Sequence, residues 1–157
     1  MGAKKKKTSQ PGLLGDNRKA RHLYIIEERL ECGIELRGTE VKSMKAAHFN
    51  FTDAFVEASH DELWLRNFQI TPYSFGGVFN HTSDRPRRLL AHKKEILKLQ
   101  KRVSEKGLTL IPLKFYLVKG RVKVEVGLCR GKKLHDKRES IKQRDIQRDM
   151  DREARQR

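Results

Sequence analysis

The chain has 157 residues, of which 36% are hydrophobic and 36% are charged, and its formal net charge is +16 at pH 7. This length suits one domain with appendages, and no segment approaches the roughly 18 consecutive apolar residues of a membrane-spanning helix. Two cysteines, Cys32 and Cys129, form no Cys-x-x-Cys motif, which predicts reduced thiols in a cytoplasmic protein. The excess of positive charge favours nucleic acid as the partner, with an anionic membrane surface as the alternative.

The charge is distributed unevenly along the chain. Residues 1–21 hold 7 basic and 1 acidic residues, residues 22–129 hold 18 and 13, and residues 130–157 hold 11 and 6. Per residue, both ends are therefore several times more basic than the middle. This pattern predicts a globular body with two cationic arms, divided into a flexible N-terminal arm, a folded domain and a tail at 1–16, 17–130 and 131–157.

The first half of the chain begins with a Lys-rich stretch that contains a Pro-Gly pair, which predicts a mobile arm over residues 1–16. Residues 22–36 alternate apolar and charged side chains and predict an extended strand. Gly33 lies inside that strand and indicates a bulge or a close backbone approach. Thr39 then predicts the cap of a short helix over residues 40–47.

The second half predicts two hairpins that flank a long loop and a helix. Loops as long as residues 71–86 are usually binding surfaces or disordered segments in a small domain. The helix is predicted from Leu89 to Lys106, with Gly107 as its C-cap. The strands of the two hairpins are predicted at 51–58, 63–70, 108–118 and 122–129. Six extended runs with two to three helices predict a mainly β fold with α, in the form of a small, closed antiparallel barrel.

The tail, residues 131–157, carries 10 Lys or Arg and 6 Asp or Glu residues. Ile146, Met150 and Ala154 recur every fourth position and would form one thin apolar stripe on a helix. Ion pairs at helical spacing add a few tenths of a kcal/mol each, which is too little to offset about 1–2 kcal/mol per ordered residue. We therefore expect a tail that is disordered alone and helical against a partner. The alternative is a solvated tail that serves solubility.

Motifs for catalysis, nucleotide binding and metal binding are absent from the sequence. The six scattered histidines are interpreted as surface or satisfied side chains, so we expect no catalytic residue, no cofactor and no metal. Phe49, Phe51 and Phe55 could form a base-stacking platform, although core packing is the preferred interpretation.

Six motifs, in order, carry a resemblance to a known family. The chain closely resembles the small protein B family, the SsrA-binding proteins of bacterial trans-translation, over about residues 17–141. The motifs are Asn-Arg-Lys-Ala-Arg-His at 17–22 with Tyr-x-Ile-Glu-Glu at 24–28, Gly-Thr-Glu-Val-Lys-Ser at 38–43, Arg-x-Arg-Arg-Leu-Leu at 85–90 with His-Lys-Lys-Glu-Ile at 92–96, Lys-Gly-Leu-Thr-Leu-Ile-Pro-Leu at 106–113, Arg-Val-Lys-Val-Glu at 121–125 and Gly-Lys-Lys-Leu-His-Asp-Lys-Arg at 131–138.

The resemblance implies a barrel of the oligonucleotide-binding type that is not an enzyme. Members of this family bind transfer-messenger RNA (tmRNA, or SsrA RNA) at its tRNA-like domain. They escort it, alanylated and with elongation factor Tu and GTP, to stalled ribosomes. The basic tail is expected to enter the vacant mRNA channel beside the decoding centre of the small subunit and to fold there as a helix. The nascent peptide is then tagged for proteolysis. We expect a cytoplasmic monomer.

The resemblance also implies which residues act. Contacts with the RNA elbow are expected from Glu31, Leu90 and Lys123, with Asn17, His22, Tyr24 and Lys42 as further candidates. Contacts of the tail with the decoding centre and mRNA channel are expected from Gly131, Lys132, Lys133, His135, Asp136, Lys137 and Arg138. For Glu31, which cannot meet a phosphate favourably, we expect a hydrogen bond accepted from a base amine or a 2′-hydroxyl. The alternative is an exposed acid paired with a nearby arginine such as Arg29.

This chain departs from the family pattern at a few positions. Ala47 replaces a glycine, Ala54 and Phe55 replace a Ser-Tyr pair, and Ala91 replaces a leucine. The smaller side chain of Ala91 reduces the apolar contact beside Leu90.

Two rival functions stay open from the residues alone. The first is a ribosomal or initiation-factor-like barrel protein without a dedicated RNA partner, which identification of the bound RNA would distinguish. The second is an RNA-cleaving or RNA-modifying enzyme with a cryptic site, which turnover of structured RNA with and without Mg²⁺ would reveal.

Overall fold

The computed structural model of the chain describes residues 12–156, without the side chains of Lys106, Leu134, His135 and Asp136. This part of the chain forms nine strands, four α-helices and one 3₁₀ turn. In order they are β1 Leu13–Asp16, α1 Arg18–Leu23, β2 Tyr24–Ile34, α2 Gly38–Lys45, β3 Phe49–Asn50, β4 Phe55–Ser59, β5 Glu62–Arg66, β6 Gln69–Ile70, a 3₁₀ turn Gly77–Phe79, β7 Arg87–Leu90, α3 Lys93–Lys106, β8 Thr109–Val118, β9 Arg121–Gly131 and α4 Leu134–Gln156.

Six strands pair in a closed antiparallel ring, in the order β8, β4, β5, β7, β2, β9 and back to β8. Strand β1 adds to β8 outside this ring, and β3 and β6 form a separate two-stranded sheet. Closure leaves the six strands without a free edge for aggregation. The predicted fold class, mainly β with α, is confirmed.

The inside of the ring holds the main hydrophobic core. In β9 the buried residues Val122, Val124 and Val126 alternate with the more exposed Arg121, Lys123 and Glu125. This period of two arises because successive side chains of a strand point to opposite faces.

Four phenylalanine rings meet at one end of the core. Phe49, Phe51, Phe68 and Phe115 have ring centroids 4.7–5.8 Å apart. Phe55 packs against a second, smaller cluster around Ala20 and Leu113. Core packing, the preferred interpretation of these phenylalanines, is confirmed.

A buried ion cluster joins helix α2 to the long loop and to β7. The side chains of Glu40 and Arg87 are both fully buried. Arg87 donates hydrogen bonds to Glu40 and to the carbonyls of Phe68 and Ser83, while Arg85 donates to Glu40 at 2.5 Å. Burial alone would raise the pKa of Glu40, but the hydrogen bonds from Arg87 and Arg85 outweigh it, so the pKa lies below its usual value.

Some predicted elements are wrong in type or in extent. Leu89 does not begin a helix, because β7 pairs there with β2 and β5, and helix α3 begins at Lys93. Helix α1 was not predicted, since it has no apolar periodicity. The predicted strand 63–70 is two strands divided at Asn67, whose φ is 54°. The predicted strand 51–58 begins too early, because β3 ends at Asn50 and β4 begins only at Phe55.

The two predicted arms also differ in part from the structure. Strand β1 lies within the stretch predicted as a mobile arm, so the folded body begins before Asn17, while residues 1–11 lie outside the described part of the chain. Residues 134–156 form helix α4. Helix is the conformation that we expected for the tail against a partner, and a transition from disorder to helix stays a prediction.

Candidate nucleic-acid interface

Three of the predicted RNA-binding residues lie together on the outside of the ring. Gly33 in β2 is paired with Leu90 in β7 on one side and with Lys123 in β9 on the other. Directly paired residues of antiparallel strands share one face, and Glu31 shares it as well because it precedes Gly33 by two positions. We call Glu31, Leu90 and Lys123 the strand face.

A shallow depression lies beside Leu90 and Lys123 of the strand face. It has a volume of about 270 Å³ and is lined by Leu90, Lys123 and Arg121 together with Val41 of helix α2. Gly33 forms its floor, and a Cβ at this position would lie only 3.2 Å from the Cβ of Leu90. Leu90 is 46% exposed, so the depression offers an apolar contact beside two cations. A ribose or base could rest on the leucine while its phosphates meet Lys123 and Arg121.

Glu31 is held in place by Tyr116. The Tyr116 hydroxyl donates a hydrogen bond to the Glu31 carboxylate at 2.5 Å. Burial, with this bond as the second cause, raises the pKa of Tyr116, so the hydroxyl stays protonated and remains a donor. Arg29 does not hold Glu31 and instead lies 3.7 Å from Glu125. An ionised carboxylate has room for about four donors, so Glu31 can still accept from a partner. Sequence reasoning missed Tyr116, because only the pairing of β8 with β9 brings it close.

Asn17 has a structural role that sequence reasoning did not predict. Its Oδ1 accepts from the backbone of Ala20 and caps helix α1, and its Nδ2 donates to the carbonyl of Pro112 at 2.9 Å. The residue is buried. An RNA contact through this side chain would have to compete with both bonds.

His22, Tyr24 and the start of the tail meet where α1, β2 and β9 converge. Tyr24 is paired with Gly131, and the backbone N–H of Lys132 donates to the carbonyl of Leu23. Nδ1 of His22 lies 2.7 Å from the guanidinium of Arg144 in α4. Because arginine can only donate, Nδ1 of His22 is the acceptor, and this hydrogen bond joins the tail helix to the body.

A cationic cleft of about 480 Å³ lies between α1 and α4. It is lined by Arg18, Arg21, Lys132 and Arg144, with Ser140, Gln143 and Gln147. Arg21 has an acidic partner, Asp16, at 3.0 Å. Cations held around one concavity attract phosphate. The sequence showed these basic residues, but it did not show that a tail residue faces α1.

The residues expected to act in the tail lie on both sides of the junction between β9 and α4. Gly131 ends β9, and Lys132 donates from Nζ to the Ser140 hydroxyl at 3.0 Å. The first turn of α4 contains His135 and Asp136. The backbone N–H of Lys137 donates to the carbonyl of Lys133. Lys133 and Arg138 are exposed.

Lys42 does not belong to the strand face. Its ammonium lies 5.1 Å from the ring centroid of Tyr73 in the loop after β6, a distance typical of a cation–π contact. The preceding residue, Val41, lines the depression of the strand face. Helix α2 therefore connects the strand face to this loop.

Among the side chains that the structure describes, no group of three or more His, Cys, Asp or Glu residues could bind a metal ion. Within residues 12–156, no helix is long and apolar enough to span a bilayer. Both cysteines are buried and unpaired, and burial raises the pKa of the Cys129 thiol to about 11.

A closed ring of strands with a cationic, partly apolar outer face defines a small basic protein whose surface suits a polyanion. The family model described as "SmpB protein" matches residues 14–156. The chain belongs to the SmpB family.

The chain can be aligned with SsrA-binding proteins over nearly their whole length. The chain is 50% identical over 141 residues to an SsrA-binding protein of Treponema denticola, which covers 90% of this chain and 92% of the relative. It is also 50% identical over 148 residues to an SsrA-binding protein of Staphylococcus haemolyticus, with 94% and 95% covered. A solved structure described as "tmRNA-SmpB: a journey to the center of the bacterial ribosome" matches at 48% identity and a TM-score of 0.65, covering 76% of this chain and 85% of that one.

Proposed function

We propose that the chain binds tmRNA at its tRNA-like domain and delivers it to stalled ribosomes. Membership of the SmpB family supports the choice of RNA, since curated relatives carry the name SsrA-binding protein. The observation that carries the proposal is the strand face, where residues from three strands meet on one exposed surface. Folded RNA is recognised mostly by shape, with phosphates providing affinity. A fixed surface that combines cations, an apolar contact and one directed acceptor suits this task.

The residues of the strand face divide the work. Lys123 meets a phosphate, Leu90 packs against a ribose or base, and Glu31 accepts from a base amine or a 2′-hydroxyl. Tyr116 acts as a positioning residue, because its hydrogen bond fixes the carboxylate before RNA arrives. The cationic cleft between α1 and α4 adds attraction for a phosphate backbone.

The tail performs the second half of the proposed function. It enters the vacant mRNA channel near the decoding centre of the small subunit, with the residues from Gly131 to Arg138 at its base. The helical form of α4 is compatible with a narrow channel. Residues 131–157 together carry 10 Lys or Arg and 6 Asp or Glu residues, and this excess of positive charge suits a channel lined by RNA phosphates. The complex that reaches the ribosome includes elongation factor Tu with GTP, bound through alanylated tmRNA. The chain acts in the cytoplasm as a monomer without cofactor or catalysis, and the nascent peptide is then tagged for proteolysis.

The test is the binding of the tRNA-like domain of tmRNA to Lys123→Ala at several salt concentrations. The expected result is weaker binding with a salt dependence that is shallower by about one phosphate contact. The control is Lys101→Ala, which removes the same charge from the exposed surface of α3, where Lys101 lies 3.9 Å from Glu105. Equal effects of the two variants would mean that Lys123 contributes only to overall charge and makes no phosphate contact.

A further inference from the structure

The loop between β6 and β7 presents large apolar side chains to solvent. Phe75 is 87% exposed, Phe79 is 86% exposed and Val78, between them, is 93% exposed. Soluble proteins seldom expose several adjacent large apolar side chains unless the patch binds something. Tyr73 adds a third ring, which meets Phe75 edge to face with ring centroids 5.7 Å apart. We call Tyr73, Phe75 and Phe79 the loop platform.

The loop platform is preorganised by its own hydrogen bonds. Both polar atoms of the Asn80 amide bond to the backbone of Tyr73, at 2.9 Å to its N–H and 2.7 Å to its carbonyl. The N–H of Gly76 donates to Tyr73, and that of Phe79 donates to Gly76. A Cβ on Gly76 would lie 2.8 Å from the Asn80 amide, so a larger residue here would displace this amide from its bonds to Tyr73. The backbone that carries the rings is therefore ordered before a partner binds, which lowers the entropic cost of binding.

The base of the loop is anchored to the body. His81 is buried and contacts both the Thr39 hydroxyl and the carbonyl of Ile70, each at 2.9 Å. The buried ion cluster of Glu40 and Arg87 lies on the same side and binds the Ser83 carbonyl. A rigid base below exposed rings is a structure suited to recognition and not to core packing.

The surroundings of the loop platform favour an RNA base over an apolar protein groove. The Lys42 ammonium lies 5.1 Å from the Tyr73 ring, so a cation stands beside the rings. Helix α2 joins the loop platform to the strand face through Val41 and Lys42. Aromatic rings beside a basic groove are the usual means of holding unpaired bases, because every base has a stacking face and a phosphate nearby.

We propose that the loop platform stacks unpaired bases of the RNA whose folded part lies on the strand face. Phe75 and Phe79 each provide a stacking ring, and Lys42 neutralises a phosphate of the same unpaired segment. This inference rests on the proposed function, since it takes the partner to be RNA. It adds a second contact of different chemistry: the loop platform binds unpaired bases, whereas the strand face recognises the shape of folded RNA.

The experiment measures the affinity of the full chain for a single-stranded RNA of about 12 nucleotides that contains one 2-aminopurine, a length within the range of known stacking sites. Phe75→Ala with Phe79→Ala is expected to weaken binding by roughly tenfold per ring and to abolish the quenching of 2-aminopurine fluorescence. Val78→Ala is the control, because it removes exposed apolar area without a ring. Each residue is exposed, so the thermal midpoint of each variant is expected to match that of the parent.

Leucine and tryptophan substitutions distinguish stacking from simple apolar docking. Phe75→Leu with Phe79→Leu keeps the apolar area but loses the ring faces, and it is expected to bind as weakly as the alanine variant. Phe75→Trp with Phe79→Trp is expected to bind at least as well as the parent. If the leucine variant binds the single strand like the parent, the loop platform does not stack bases, and an apolar protein partner becomes the alternative.

The same variants separate this inference from the proposed function. If Lys123→Ala no longer binds the tRNA-like domain while the loop variants still bind the single strand, base stacking by the loop platform is refuted and RNA binding by the strand face is supported. If the loop variants no longer bind the single strand while Lys123→Ala binds the tRNA-like domain as well as its control Lys101→Ala, base stacking by the loop platform is supported and the assignment of the strand face is wrong.

Discussion

Replacing Glu40 by glutamine tests what holds helix α2, the long loop and β7 together. The substitution keeps the size of the side chain and removes one negative charge. Two cations then lose their counter-ion, and one of them, Arg87, is fully buried. Arg85 is less affected, since part of its side chain is accessible to water and can be hydrated.

The magnitude follows from the burial of the pair. Removing one partner of a buried ion pair costs about 3–5 kcal/mol, because a buried charge is left uncompensated. A domain of this size has roughly 5–15 kcal/mol of stability, so Glu40→Gln is expected to remove a large fraction of it. The matched control is Glu57→Gln, which breaks the pair with Arg66 at 2.8 Å. Both side chains of that pair are about 40% exposed, and such pairs contribute less than about 1 kcal/mol.

Urea denaturation followed by circular dichroism measures both losses at neutral pH. The pH dependence provides a second measurement. Because the pKa of Glu40 is lower in the folded than in the unfolded chain, its contribution is complete above the unfolded value of about 4.3 and declines as pH falls through the folded pKa. The variant should lack this component of acid unfolding. A loss from Glu40→Gln no larger than that from Glu57→Gln would refute the reasoning.

Three further predictions concern single features. Ala47 has a φ of 59°, so Ala47→Gly is expected to stabilise the fold by about 0.5–1 kcal/mol, measured as a higher urea midpoint; no increase would mean that the left-handed backbone carries no strain. Glu31→Gln makes the protein more basic yet is expected to weaken binding of the tRNA-like domain by about tenfold, and equal or tighter binding would contradict the directed hydrogen bond. Deleting residues 135–157 removes 8 basic and 6 acidic residues; it is expected to weaken RNA binding by at most about tenfold and to abolish peptide tagging, and tagging that survives would contradict the role of the tail.

Local patterns predicted the parts of the fold whose partners are near in sequence. The final hairpin, β8 and β9, follows from the apolar run of β8, the alternation of charged and apolar residues in β9 and the Lys119-Gly120 turn, where both residues have positive φ. The error at Leu89 has a clear physical reason. The segment from Arg87 to Leu90 has no strong strand pattern, and its conformation is set by pairing with β2 and β5, which are distant in sequence. The buried pair of Glu40 and Arg87 was unpredictable for the same reason.

In the candidate site, too, the sequence indicated individual residues, but not the long-range pairing that brings them together. Resemblance to the family indicated Glu31, Leu90 and Lys123 one by one, but only the register of β7, β2 and β9 shows that they share a face. The role of Tyr116 depends on the pairing of β8 with β9, and the link from His22 to Arg144 depends on the direction of α4. The Lys42 contact with Tyr73 depends on how the long loop folds back. Sequence alone provides the residues, whereas closure of the ring brings them together.

The central claim is that the strand face binds tmRNA, and sequencing the RNA that co-purifies with the chain from bacterial cells tests it most directly. The parent and a variant that combines Leu90→Ser with Lys123→Ala are purified side by side under identical salt. We expect one dominant RNA, tmRNA, with the parent and its loss from the variant, while both proteins retain the same thermal midpoint. Recovery of ribosomal RNA alone with the parent, or equal recovery of tmRNA with both proteins, would contradict the claim.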